Sequence, residues 1–382
     1  MVSERMRGVK GSPTVRLSGL VEELRARGEN VISLAIGEPD FPTPAHIVEA
    51  AKKALDEGFT RYTPSRGIGE LREAIAEKSQ QENGIQCGPE NVLVSPTKHA
   101  LFAATLAFSG AGEEVLLPDP GWVSYLPMVQ LANARPVPVP CVEEDGFQMR
   151  PEAVGERITP KARMIIVNTP NNPTGSVYDL ESLKGIADLA EDHDLVVVTD
   201  EIYERILYGE SHHSIASFPG AFERTITING FSKTYAMTGW RLGWAVAPGH
   251  LLDPMVTVQE HSITCATSFA QKGGVAALRG PEGPVEEMVR KFTRRREVMV
   301  EGMNEIPGLS CQEPQGAFYA WVSYEDPIKS LDFSEMLLEK ALVAVIPGGA
   351  FGDEGEGYIR LSFATSQDNV REALKRIREV LS

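Results

Sequence analysis

The chain has 382 residues, 42% of them hydrophobic and 24% charged, and its 37 basic and 53 acidic side chains give a formal net charge of −16. That length and apolar fraction suit a folded chain of two or three domains and exclude an intrinsically disordered one. The acidic balance repels phosphate backbones and anionic lipid, so neither nucleic acid nor a membrane surface is expected as a partner.

The first residues, Met1 to Arg7, are basic and polar with no apolar run behind them, so no signal peptide is expected. Leu17, Leu20, Val21 and Leu24 share one face of a predicted helix over 17–27. A short apolar strand over 31–36 runs into Gly37-Glu-Pro-Asp-Phe-Pro-Thr-Pro44, which is too rich in proline for a helix. Helices follow over 45–57 and 68–82. From there to about residue 250, short β-branched runs (92–94, 115–117, 162–167, 195–199 and 225–228) alternate with helical stretches such as 98–108 and 180–192. This alternation predicts βαβ units, hence an α/β fold with a mainly parallel sheet and helices on both faces. One long helical stretch over 271–304 leads to strands at 317–322 and 358–363 in a second sheet, and a closing helix is expected over 369–381. A boundary between the two parts is placed near residue 280. No run of about 18 apolar residues is present, so no membrane span is expected.

Cys87, Cys141, Cys265 and Cys311 form no CxxC pair and read as thiols of a reducing, cytoplasmic protein. The seven histidines fall in no zinc-ligand spacing, and the adjacent His212 and His213 read as a solvated loop, so no metal is expected.

Three strand ends carry the chemistry. Asn229-Gly-Phe-Ser-Lys-Thr-Tyr-Ala-Met-Thr-Gly-Trp-Arg-Leu-Gly243 puts Lys233 in a small-residue turn after a strand, with Arg241 eight residues on. A lysine in such a pocket loses its proton readily and becomes a nucleophile for carbonyls, while the planar fork of an arginine suits a phosphate. Val198-Thr-Asp-Glu-Ile-Tyr203 puts Asp200 at the end of an apolar strand, where α/β proteins bind ligands. By itself such an aspartate often only caps a helix. Asn168-Thr-Pro-Asn-Asn-Pro-Thr-Gly175 also follows a strand, and alone would mean a turn.

Together, in this order, PNNPTG, DE-x-Y and SK-x(5)-G-x-R-x-G resemble the fold-type-I pyridoxal-phosphate enzymes, and among them the class I/II aminotransferases of the aspartate subgroup. The resemblance runs from Gly37 to Arg360-Leu-Ser-Phe363. It implies a large cofactor-binding domain over 45–280 with a seven-stranded type of sheet. A smaller α+β domain over 281–382 would be joined by the N-terminal segment 1–44. It implies pyridoxal 5'-phosphate as cofactor, a lysine Schiff base with an acidic pyridinium partner, and a ping-pong transfer of the amino group from an L-amino acid to a 2-oxo acid. Lys233 would hold the cofactor and carry protons, and Asp200 would keep the pyridine nitrogen protonated. Tyr203 and Asn172 would hydrogen-bond the 3′-oxygen. Arg241, Thr97 and the amides at the start of its helix would bind the phosphate, and Trp122 would stack on the ring. Arg360 would grip the substrate α-carboxylate with Gly37 beside it, and Lys98 would meet the distal carboxylate of an acidic substrate. Ser12 and Thr14 match residues near that side-chain pocket. Tyr62 matches the tyrosine that reaches the phosphate of a neighbouring subunit, which implies a homodimer.

Two departures stand out. Many relatives have two small residues where Pro96 and Thr97 stand, and Pro96 has no N–H to donate. Many carry a serine or threonine at the place of Gly230, a role Ser232 would take over. Aspartate with 2-oxoglutarate is the substrate pair the resemblance favours. Aromatic, alanine or prephenate aminotransfer and β-lyase chemistry remain open on the same apparatus. A nicotinamide dehydrogenase is excluded because Arg66-Gly-Ile-Gly-Glu-Leu-Arg lacks the third glycine of GxGxxG.

Overall fold

The computed structural model describes residues 3–381 except Arg7, Lys10 and Ser12. In chain order the strands are β1 (Ile32–Ser33), β2 (Val92–Val94), β3 (Glu114–Asp119), β4 (Arg135–Pro140), β5 (Ala162–Asn168), β6 (Val196–Asp200), β7 (Thr225–Gly230) and β8 (Gly243–Val246). They continue with β9 (Leu309–Cys311), β10 (Tyr319–Tyr324), β11 (Val343–Ala344), β12 (Ile346–Pro347) and β13 (Tyr358–Ser362). A seven-stranded sheet has the order β2-β8-β7-β6-β5-β3-β4, and a four-stranded sheet the order β12-β13-β10-β9. β8 runs antiparallel to both of its neighbours, while β7, β6, β5, β3 and β4 pair in parallel. The four-stranded sheet is antiparallel throughout. β1 pairs in parallel with β11, which ties the N-terminal segment to the C-terminal part.

The apolar runs of β5 and β6 are continuous because helices cover both faces of a parallel sheet. Ile166, Val198 and Ile226 pack on one face with Ala100 and Ala104 of the helix Thr97–Phe108. Ile165, Val167 and Val197 pack on the other with Leu183 and Ile186 of the helix Leu180–Asp192. Asp179 caps that second helix, its carboxylate accepting from Ser182 N at 2.7 Å. The closing helix Gln367–Leu381 buries Val370, Ala373, Leu374 and Ile377, the i, i+3, i+4, i+7 stripe of an amphipathic helix.

The structure departs from expectation at four places. The expected stretch 271–304 is two helices, Ser268–Leu278 and Gly283–Asn304, because Gly280-Pro281 interrupts the hydrogen-bond ladder. β4 escapes pattern reading because its sequence is Arg-Pro-Val-Pro-Val-Pro; it lies at the sheet edge, where a missing N–H leaves no neighbour unpaired. β8, inside the lysine–arginine motif, is a further strand, and the expected strand 31–36 is reduced to the two residues of β1. Among the described residues no helix is long and apolar enough to cross a membrane.

Candidate active site

Register brings the chemistry together. Asn168 of β5 lies opposite Asp200 of β6, and Asp200 opposite Ile228 of β7. The C-terminal ends of three adjacent parallel strands therefore open on one side, as ligand crevices of such sheets do. A cavity of about 510 Å³ lies there. Its walls include Gly37, Thr97, Lys98, Trp122, Asn172, Asp200, Tyr203, Ser232, Lys233, Arg241 and Arg360. Of the expected site residues, Tyr62 alone is outside this wall, its side chain standing 86% exposed. Ser12 and the side chain of Thr14 lie outside the described residues.

Lys233 Nζ donates to the carbonyl of Gly37 at 2.5 Å. Burial, helped by the nearby Arg360 and Arg241, pushes its ammonium down to about 8, although Glu38 and Asp200 pull the other way. The result is an amine that releases its proton near neutrality, as a carbonyl nucleophile requires. Position 37 has to be glycine, since a Cβ there would run into the hydroxyl of Tyr319.

Asp200 is almost fully buried, and burial pushes its carboxyl up to about 6. Tyr125 OH donates to its Oδ2 at 2.8 Å and Ile202 N to its Oδ1 at 3.3 Å, both favouring the ionised form. The carboxylate is thus aimed and partly solvated by the protein, with room on the cavity side for a cationic partner. Tyr203 and Tyr319 share a hydroxyl–hydroxyl bond of 2.7 Å. Tyr125 and Tyr319 are site residues that sequence reasoning did not select. Tyr125 begins the helix Tyr125–Leu131, in the segment already marked by Trp122, and was legible as a phenol at an apolar helix start. Tyr319 carried no signal, because only the fold brings β10 against the end of β6.

Arg360 is 3% exposed and donates through Nη1 to Asn172 Oδ1 at 2.8 Å and through Nη2 to the carbonyl of Ala35 at 2.7 Å. Its buried Nε has no protein partner, and Tyr319 lies 4.3 Å from the guanidinium carbon. Because Asn172 Oδ1 is taken by Arg360, the amide Nδ2 is the group left to donate into the cavity. Asn168 holds this loop, accepting from Asn172 N at 2.9 Å and donating to the Asp200 carbonyl at 2.9 Å.

Thr97 opens the helix Thr97–Phe108, its hydroxyl 3.2 Å from the carbonyl of Asn229. A Cβ built on Gly230 would fall on that same hydroxyl. The missing serine or threonine at 230 is therefore matched by Thr97, which fills its space, while Ser232 is buried at the cavity wall. Arg241 sits at φ 54°, which turns its chain back so that Nη1 donates to the Thr238 carbonyl at 2.7 Å. Lys98 lies 4.7 Å above the Trp122 ring, and burial together with Arg241 lowers its ammonium.

His212 departs from the expected solvated loop. Its ring is 7% exposed and lies 2.9 Å from Glu201, because a buried carboxylate there needs a partner.

A buried amine with lowered proton affinity, an aimed carboxylate, a buried arginine and a helix start flanked by Lys98 and Arg241 thus share one cavity. The aminotransferase class I and II family profile matches residues 29–377. An aspartate aminotransferase of Pyrococcus abyssi is 47% identical over 94% of this chain and 94% of its own. Aromatic-amino-acid aminotransferase 2 of Thermococcus litoralis is 45% identical over 100% and 98%. The structure of the Thermus thermophilus aspartate aminotransferase with maleate superposes with a TM-score of 0.96 at 42% identity, covering 100% of both chains. The chain belongs to the class I and II aminotransferases.

Proposed function

We propose that the protein is a pyridoxal 5'-phosphate-dependent aminotransferase that takes the amino group of L-aspartate and passes it to 2-oxoglutarate in a ping-pong cycle. The observation that carries this reading is Lys233, a buried amine held near 8 in the cavity that also contains Asp200, Arg241 and Arg360. The donor set fits the cofactor: an amine for its aldehyde, a carboxylate for its pyridine nitrogen, and cations with hydroxyls for its phosphate. When bound, the cofactor supplies an electron sink for the carbanion formed at the substrate Cα.

The chain's own residues do the rest. Lys233 Nζ would hold the cofactor's aldehyde and, as a buried amine of lowered proton affinity, would move the proton to and from the substrate Cα. Asp200, steadied by Tyr125, would hold a proton on the cofactor's ring nitrogen. Asn172 Nδ2 and the Tyr203 hydroxyl would be the donors for the cofactor's ring oxygen, and Trp122 would be the aromatic partner of its ring. Thr97, Ser232 and Arg241 would hold the phosphate, with the helix start behind Thr97. Arg360 binds the α-carboxylate with its remaining donor capacity, beside the backbone of Gly37. Lys98 answers a second carboxylate, which favours a dicarboxylic substrate, and the Thermus relative was solved with maleate, itself a dicarboxylate.

Tyr62 serves the site of a partner subunit, so the working unit is a homodimer. The division into 45–280 and 281–382, joined by 1–44, draws support from the large sheet ending at Val246 and the small sheet beginning at Leu309. A cytoplasmic location belongs to the same proposal. A second reading, aromatic aminotransfer, is favoured by the Thermococcus relative's name. A single-turnover screen of amino acids that follows loss of the cofactor's visible band decides between them: aspartate reacting fastest supports the first reading, and phenylalanine or tyrosine the second.

A further inference from the structure

Behind the cavity, on the far side of the Asp200–Tyr203 turn, lies a group of buried charges outside the cavity wall. Glu201 is fully buried, and its oxygens accept from Ser214 Oγ at 2.5 Å and Thr199 Oγ1 at 3.1 Å, with His212 Nε2 at 2.9 Å. Glu204, one turn on, pairs with the equally buried Lys78 and accepts from Asn83 Nδ2 at 2.6 Å. The helix Gly69–Asn83 also brings Glu82, which faces Lys78 and Arg205. Among the described residues, the charges acting on His212 are the carboxylates of Glu201 and Glu204 and the ammonium of Lys78, so a protonated His212 brings that sum to zero. Burial works against charge on His212, but Glu201 and Glu204 together draw its proton affinity above the ordinary histidine value despite Lys78. Glu204 in turn is held low by Lys78 and His212 in spite of burial. The network is wired to the site through the backbone: Glu201 N donates to Ile228 O at 2.9 Å, and Glu204 N to Glu201 O at 3.0 Å. The charge of Glu201 also bears on its neighbour Asp200, whose proton affinity it raises.

We propose that Glu201 and His212 are positioning residues: a buried ion pair that anchors the Asp200–Tyr203 turn and offsets the negative charge that would otherwise act on Asp200 and Lys233. The inference rests on the cofactor reading above. Removing His212 leaves an uncompensated carboxylate behind the site, so groups in the cavity hold their protons more tightly. Removing Glu201 as well restores neutrality, with Glu204 and Lys78 still paired.

The test is a pH titration of the bound cofactor's visible band in wild type, His212→Gln, Glu201→Gln and the double variant. His212→Gln should raise the midpoint by about half a pH unit or more, as expected for an unbalanced charge at an effective dielectric near 20. Glu201→Gln should lower it or leave it, and the double variant should return to within about 0.2 unit of wild type. An unmoved or lowered midpoint in His212→Gln, or a shift that persists in the double variant, overturns the proposal. A purely structural role would lower melting temperature without this reversal, and so overturns it too. If no variant and not even wild type binds the cofactor, the functional reading fails separately. The pair is then judged in the cofactor-free protein by the His212 imidazole resonances: a midpoint above about 6.5 that falls in Glu201→Gln supports it, and an ordinary midpoint overturns it.

Discussion

The hydroxyl of Thr97 occupies the space that a side chain on Gly230 would fill. The two positions lie in different elements, a helix start and a strand end, yet they behave as one site: hydroxyl from the helix, glycine from the strand. Gly230→Ala should therefore cost about 1–3 kcal/mol, as overpacking does. Adding Thr97→Ala should recover part of that loss, because Gly243 Cα at 3.0 Å still crowds the new methyl group. A double-mutant cycle read by chemical denaturation checks this, and strict additivity of the two substitutions would separate the positions.

Asp200 gives a pH-dependent prediction. Its folded value near 6, raised from 3.8, means that between about pH 4 and 6 the folded protein retains a proton the unfolded chain has released. Stability of the cofactor-free protein therefore falls as pH rises through that window. Asp200→Asn removes this cost, so at pH 7 and above the cofactor-free variant should be the more stable, by on the order of 3 kcal/mol at most. Below pH 4 the advantage should vanish. Calorimetry across pH measures it, together with a loss of at least about two orders of magnitude in the half-reaction, since an amide cannot hold a pyridinium as a carboxylate does.

Lys98→Ala separates substrates. A charged hydrogen bond left unmade in a partly buried pocket costs about 1.5–3 kcal/mol, roughly one to two orders of magnitude in kcat/KM. Aspartate and glutamate should lose that factor, while alanine or phenylalanine should be nearly unaffected. An equal loss for all four assigns Lys98 to the phosphate end beside Arg241.

Tyr62, exposed to solvent in the single chain, tests the proposed dimer. Mixing Tyr62→Phe subunits with Lys233→Ala subunits should give hybrids in which one active site carries neither substitution. Activity of the mixture should then exceed that of either parent, with dimers in sedimentation at micromolar concentration. Monomers there would contradict the shared site.

Much of this molecule was legible in its sequence, for physical reasons that particular residues show. β5 and β6 announce themselves because strands covered on both faces carry continuous apolar runs, β7 through its β-branched Thr-Ile-Thr-Ile run, and their ends then locate Asn172, Asp200 and Lys233. β4 did not, because its prolines mimic a loop while the sheet edge tolerates them. Tyr319 stayed hidden because its role depends on β10 meeting the turn after β6, a contact between residues 116 apart that no local pattern encodes. His212 stayed hidden for the same reason: its polarity is that of a loop, and only the fold sets it against Glu201.

The central claim, that Lys233 is the amine that binds the cofactor, is tested most directly by borohydride reduction of the loaded protein followed by peptide mapping. The account predicts a single pyridoxyl label on Lys233 and none in Lys233→Ala, whose turnover should fall by at least about three orders of magnitude. A label on any other lysine, or full turnover without Lys233, would contradict it.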